Sequence, residues 1–206
     1  MIVKVCGMRN TDNIREVEAL GIDMMGFIFY PKSCRYVSAR PAYLPQKCKR
    51  VGVFVDATVD AISQHIADYS LDAIQLHGHE SPDFIQQLHS LCGDSIAIIK
   101  SLNIATKEDI DTTAPYTGLI DYLLFDTKGP SVGGNGKKFD WDVLKDYNGN
   151  TPFLLSGGID PDDAERIMSF HHPKCIGIDL NSRFEIEPGI KDITKLKTFL
   201  NDVKQD

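Results

Sequence analysis

The chain has 206 residues, 42% hydrophobic and 25% charged, with no low-complexity segment, so it can bury a sizeable core without staples. A formal net charge of −7 argues against a nucleic-acid binder, which needs a concentrated basic face, but leaves room for a small anionic ligand in a local pocket. No apolar run approaches the roughly 18 residues of a membrane span, and Lys4 and Arg9 interrupt any secretory apolar region near the N-terminus.

In chain order, the first strand is IVKVC (2–6), followed by a helical pattern, NTDNIREVEALG, with Asn10 or Thr11 as cap and Gly21 as its end. MMGFIF (24–29) and RVGVFV (50–55) are the next strands. DATVDAISQHIADYS then offers Asp56 or Thr58 as a helix start, with Ile62, Ile66 and Tyr69 on one face. LDAIQLH (71–77) precedes SPDFIQQLHSL, where Ser81 is the cap and Pro82 the first helical residue. Strands SIAIIK (95–100), IDYLLFD (120–126) and PFLLS (152–156) follow, then DPDDAERIMSF with the same Asp160–Pro161 start. KCIGIDL (174–180) is the eighth strand, and PGIKDITKLKTFLNDV reads as a closing helix.

These strands are continuous apolar runs, as expected where both faces are covered. Alternation of strands and helices implies a parallel sheet. Eight units of roughly 25 residues fill the chain, and a (β/α)8 barrel runs from about 200 residues upward. The expectation is therefore an α/β protein, one TIM barrel domain over residues 1–206 with outer helices, in preference to an open doubly wound sheet.

Barrel active sites lie at the C-terminal ends of the strands. Those positions hold Cys6, Phe29–Tyr30, Val55–Asp56, His77, Lys100, Asp126, Ser156 and Asp179. Reactive side chains directly after apolar runs point to a site, with Cys6, His77, Lys100, Asp126 and Asp179 as its candidates. Two glycine-rich stretches, GGNGKKFDW (133–141) and SGGIDPDD (156–163), follow the sixth and seventh strands, where backbone N–H groups could cradle a phosphate. The first is not a P-loop, because Ser131 and Lys138 stand at its defining positions, and Phe139 breaks the dinucleotide fingerprint.

The loop PKSCRYVS carries Lys32 and Arg35, and a guanidinium there can grip a carboxylate in bidentate fashion; a solvated surface arginine is the alternative. His77 and His79 lack a third ligand at suitable spacing, so no metal is expected. His171 and His172 fall before a strand, on the far side of the barrel, and are expected to be solvated. The five cysteines are odd in number and never form a CxxC pair, which suits a reducing cytoplasm.

KVCGMRN, GFIFYPKSCRYVS, VGVFVD, IQLHGHES, LLFDT, GGNGKKFDW, SGGIDPDDAERI and GIDLNSRFE…PGIKD resemble, in order and across nearly the whole chain, the phosphoribosylanthranilate isomerases. The resemblance implies a (β/α)8 barrel that converts N-(5-phosphoribosyl)anthranilate to 1-(2-carboxyphenylamino)-1-deoxyribulose 5-phosphate. This is an Amadori rearrangement in tryptophan biosynthesis, with no metal or organic cofactor. It implies Cys6 as general base, Asp126 as general acid and Arg35 as the partner of the anthranilate carboxylate. Phosphate would be held by Gly134, Asn135 and Gly136, by Gly157 and Gly158, and by Asp179, Asn181 and Ser182. The expected state is a cytoplasmic monomer or homodimer binding a small phosphorylated substrate, with no nucleic acid or membrane partner.

Three positions depart from the family pattern. Cys34 stands in place of the usual proline, Asn135 in place of threonine, and NSR at 181–183 replaces a run that usually ends in glycine. Arg183 then either assists phosphate binding or points outward. The chemistry asks for what these strand ends supply. Opening an aminofuranose needs a proton on the ring oxygen, so Asp126 must keep a proton that a free aspartate loses at neutral pH. The Schiff base acidifies the neighbouring sugar C–H, and a thiolate can remove that proton. Two other readings stand beside this one. A histidine-pathway aminoaldose-phosphate isomerase would carry aspartate in place of Cys6, and a non-catalytic barrel would bind a phosphorylated metabolite unchanged.

Overall fold

Eight parallel strands close into a barrel in the order of the sequence. They are β1 (Ile2–Val5), β2 (Met24–Ile28), β3 (Lys49–Phe54), β4 (Ala73–Leu76), β5 (Ala97–Ile104), β6 (Tyr122–Thr127), β7 (Phe153–Leu155) and β8 (Cys175–Leu180). The computed structural model describes residues 1–127 and 141–204. Gly134, Asn135 and Gly136 lie outside the described residues.

Side chains alternate between two cores, because successive strand residues point to opposite faces. Met24, Val51, Ala73, Ile99, Leu124 and Leu154, one from each of β2 to β7, form a separate buried cluster that fills the lumen. Ile2 and Ile176 complete it from β1 and β8. The intervening residues, among them Val3, Val5, Phe27, Ile74 and Phe125, belong to the larger cluster under the helices. Both faces are apolar, which is why the strands read as unbroken runs.

The outer helices are α1 (Thr11–Glu18), α2 (Val59–Tyr69), α3 (Pro82–Cys92), α4 (Lys107–Ile110), α5 (Ala164–Ser169) and α6 (Ile193–Val203). Asn10 caps α1 through the N–H groups of Asp12 and Asn13, and Thr58 caps α2, which settles both open starts. Ser81 and Pro82 begin α3 as expected. Asp160 and Pro161 open a 3-10 turn that leads into α5.

The segment between β2 and β3 holds no helix, and Pro31, Pro41 and Pro45 within it disfavour one. Two local readings change. The closing helix starts later than its sequence pattern. Asp192 caps α6, and the preceding residues form an antiparallel hairpin of β9 (Glu185–Glu187) and β10 (Ile190–Lys191). His171 is exposed, but His172 is half-buried. Its Nε2 donates to the Tyr147 carbonyl at 3.0 Å, and its Nδ1 accepts from the Lys174 N–H at 3.0 Å.

Candidate active site

One pleat period beyond the apolar layer the lumen turns polar. Lys4 follows Ile2, Gln75 follows Ala73, Ser101 follows Ile99 and Asp126 follows Leu124. Cys6 and His77 stand one period further on. Lys4 is fully buried and donates to Asp179 at 2.8 Å across the β1–β8 pair. Two buried charges are tolerable here because each satisfies the other.

Cys6 comes directly after β1 and is 4% exposed. Gly26 on the neighbouring strand makes room for it, since a Cβ there would lie 2.7 Å from Cys6 Sγ. Gly7 turns the chain at φ +80, and a Cβ on it would lie 2.7 Å from Arg35 Cδ and 2.8 Å from Asn181 Oδ1. This glycine therefore allows two loop residues to close over the thiol's strand end. Burial pushes the Cys6 thiol up, Lys4 and Lys191 pull it back, and Asp179 adds to the rise. Burial alone would lower Lys4, yet Asp179 and Cys6 together raise it, so Lys4 is a fixed cation under the thiol.

Asp126, near the end of β6, faces His77 with an Nε2–Oδ2 separation of 3.6 Å. Burial and Lys4 depress His77 to about 4, so the ring is neutral at physiological pH. Its Nδ1 meets the Gln75 amide at 3.1 Å, and that amide reaches Ser101 Oγ at 3.0 Å. A chain of neutral groups thus runs from Ser101 through Gln75 and His77 to Asp126. Cys6 and Asp126 enter the lumen from β1 and β6, with β7 and β8 between them.

Arg35 is bound side-on by Glu185. Its Nε donates to both carboxylate oxygens at 2.8 and 3.0 Å, and its Nη2 donates to one at 2.6 Å. After β7, Gly157 and Gly158 adopt φ +83 and +70, a backbone that glycine adopts without strain. Asn181, just beyond β8, accepts from Lys191 Nζ at 2.8 Å, while Ser182 and Arg183 are exposed.

Two strand-end residues differ from expectation. Lys100 follows the inward Ile99 and therefore points out of the barrel. Its ammonium, 1% exposed, is spent on Glu80 at 2.9 Å and the Gly78 carbonyl at 2.8 Å. Asp179, grouped with the phosphate loops on sequence grounds, turns into the lumen and holds Lys4. Among the described residues no cluster of three or more His, Cys, Asp or Glu could hold a metal ion.

A family model described as N-(5'phosphoribosyl)anthranilate (PRA) isomerase matches residues 3–202. The chain belongs to the PRA isomerase family. A relative from Parabacteroides distasonis named N-(5'-phosphoribosyl)anthranilate isomerase is 51% identical over 209 residues, covering 98% of this chain and 93% of the relative. The barrel is similar to the crystal structure of phosphoribosyl anthranilate isomerase from Thermotoga maritima, at 31% identity and TM-score 0.85, with 99% of each chain covered. A further phosphoribosyl anthranilate isomerase structure, in complex with reduced 1-(o-carboxyphenylamino)-1-deoxyribulose 5-phosphate, matches at 29% identity and TM-score 0.81, again over 99% of each chain.

Within this PRA isomerase barrel, four site residues escaped the strand-end reading: Lys4, Gln75, Glu185 and Lys191. A lysine inside the apolar run IVKVC was the available signal for the first, since lysine is almost never fully buried unless paired. No helix among the described residues is long and apolar enough to cross a membrane.

Proposed function

We propose that the chain isomerises N-(5'-phosphoribosyl)anthranilate by acid–base catalysis, with Cys6 as base and Asp126 as acid. Family membership supports the reaction. The observation that carries the residue roles is the lumen geometry, in which a buried thiol flanked by cations and a carboxyl group backed by a neutral histidine both stand at the C-terminal ends of their strands. Asp126 gives a proton to the ring oxygen as the C1–O bond breaks, and the anilino nitrogen's electrons form the Schiff base. Cys6 takes the proton from C2, leaving an enol conjugated to the nitrogen. C1 then gains a proton as the enol O–H loses one, which yields the ketose.

The burial that raises the Cys6 thiol makes its anion costly without substrate, and Lys4 and Lys191 offset that cost. Phosphate fits the late loops, where Gly157, Gly158, Asn181 and Ser182 sit after neighbouring strands β7 and β8. Gly134, Asn135 and Gly136 are assigned to the same role by resemblance. Arg35 takes the anthranilate carboxylate. The cysteines among the described residues are free thiols, in keeping with a cytoplasmic enzyme.

Loss of substrate fluorescence on incubation with N-(5'-phosphoribosyl)anthranilate tests this reading. Wild type should consume the substrate, and Asp126→Asn should slow turnover by about three orders of magnitude, within the range for a lost acid–base group. A protein that binds the substrate and leaves its fluorescence unchanged is a binding module, and the proposal falls.

A further inference from the structure

The hairpin of β9 and β10 is tied to the loop after β2 by contacts converging on one carboxylate. Glu185, 5% exposed at its side chain, accepts from Arg35 Nε and Nη2, from Lys191 Nζ at 2.7 Å and from the Gly189 N–H at 3.0 Å. Arg9 adds a second tie, donating to the Pro188 carbonyl at 2.7 Å and the Cys34 carbonyl at 3.3 Å. Lys191 in turn donates to Asn181 Oδ1 at 2.8 Å. Glu185 is held well ionised despite burial, because Arg35 and Lys191 both favour its anion.

Two features of this cluster bear on a ligand. Arg35 offers Glu185 its Nε–Nη2 edge, and among the described residues its terminal Nη1–Nη2 edge meets no further carboxylate, Nη1 lying 3.4 Å from Cys34 Sγ. One carboxylate also serves two cations, so the group retains a net positive charge. Arg35's stem lies over Gly7, the residue after Cys6, and its guanidinium is near enough to the Cys6 thiol for the two to interact electrostatically. A competitor carboxylate would block the arginine. A side-on one orients it, because a guanidinium can take one bidentate partner on each edge.

We propose that Glu185 is a positioning residue that locks Arg35 and thereby makes the enzyme selective for substrates whose aromatic amine carries a carboxylate. The inference rests on the assignment of Arg35 to the anthranilate carboxylate. It adds that this recognition is set by the hairpin, which Glu185 ties to Arg35 in the loop after β2.

The test uses two ligands, reduced 1-(o-carboxyphenylamino)-1-deoxyribulose 5-phosphate and the same compound lacking the aryl carboxylate. Kd values for each are measured with wild type, Glu185→Gln, Arg35→Ala and the double variant. Wild type should prefer the carboxylated ligand, and Glu185→Gln should weaken that ligand about tenfold, typical of one charge-assisted contact. The carboxylate-free ligand should bind Glu185→Gln as it binds wild type, which also reports an intact fold. KM for the substrate should rise similarly, with kcat changed less than about twofold. In the Arg35→Ala background the Glu185 substitution should add nothing.

Equal weakening of both ligands would overturn the proposal in favour of a structural hairpin contact, and tighter binding of the carboxylated ligand would make Glu185 a competitor. Wild type that does not distinguish the ligands would remove the Arg35 assignment itself, and the proposal with it. These outcomes leave the isomerase reading intact, since fluorescence loss on substrate tests that separately.

Discussion

Lys4 and Cys6 project two residues apart from the same lumen face of β1, and Lys4 is anchored by its 2.8 Å ion pair with Asp179. A cation is thus built into the strand that delivers the thiol. Lys191 approaches from β10, Asp179 from β8 and Arg35 from the loop after β2, so three cations and one anion act on the thiol.

Lys4→Met should move the pH dependence of Cys6 alkylation upward. Iodoacetamide rates resolved by peptide mass spectrometry separate Cys6 from the other four cysteines. The variant should also lose about 3–5 kcal/mol of stability, because Asp179 is left buried without its partner. An unchanged alkylation profile in folded Lys4→Met would show that Lys4 does not tune the thiol.

Gly26→Ala places a methyl group 2.7 Å from Cys6 Sγ. Strand backbone cannot retreat easily, so the thiol must shift. Overpacking of this kind costs about 1–3 kcal/mol, and turnover should fall at least about tenfold, because displacing a catalytic group by a fraction of an ångström is expensive. Urea unfolding and steady-state kinetics on the one variant check both.

His77 gives the barrel a pH signature. Its value falls from 6.5 in an unfolded chain to about 4 in the fold, through burial and Lys4. Between those values the unfolded state binds more protons, so stability rises with pH across the window. The contribution is complete above pH 6.5 and is lost as pH falls through 4. Its upper limit is about 3 kcal/mol. His77→Gln should flatten this part of a urea-midpoint profile taken from pH 7 to pH 4.

Lys100 offers the complementary control. Its ammonium is paired with Glu80 outside the lumen and makes no contact with Cys6 or Asp126 among the described residues. Lys100→Met should cost about 3–5 kcal/mol through the unpaired Glu80, while kcat of the folded protein stays within about twofold. A large loss of kcat in folded protein would return Lys100 to the site.

The barrel was legible because eight apolar runs of strand length recur between capped helical patterns, and the Ser81–Pro82 start of α3 could be read outright. Cys6 and Asp126 followed from looking only at strand ends. That same habit misplaced Lys100, whose outward direction depends on which parity of β5 faces the lumen. Parity becomes visible once Ile99 is seen in the inner cluster. It also passed over Lys4, which lies within its strand instead of at the end. Glu185 and Lys191 were hidden differently. PGIKD, with proline and glycine beside a helical run, reads as a helix start, whereas a two-strand hairpin is fixed by pairing with residues distant in sequence, here through Asn13, whose Oδ1 accepts the Lys191 N–H at 2.7 Å. Arg35's partner was unreadable for the same reason, being 150 positions away in the chain.

The most direct measurement compares wild type with Cys6→Ser for turnover of N-(5'-phosphoribosyl)anthranilate and for binding of the reduced product analogue. Turnover should fall by at least about a hundredfold, in the range for removing a general base, while the analogue's Kd stays within about threefold. A Cys6→Ser enzyme that turns over at the wild-type rate would contradict the role of Cys6 as base.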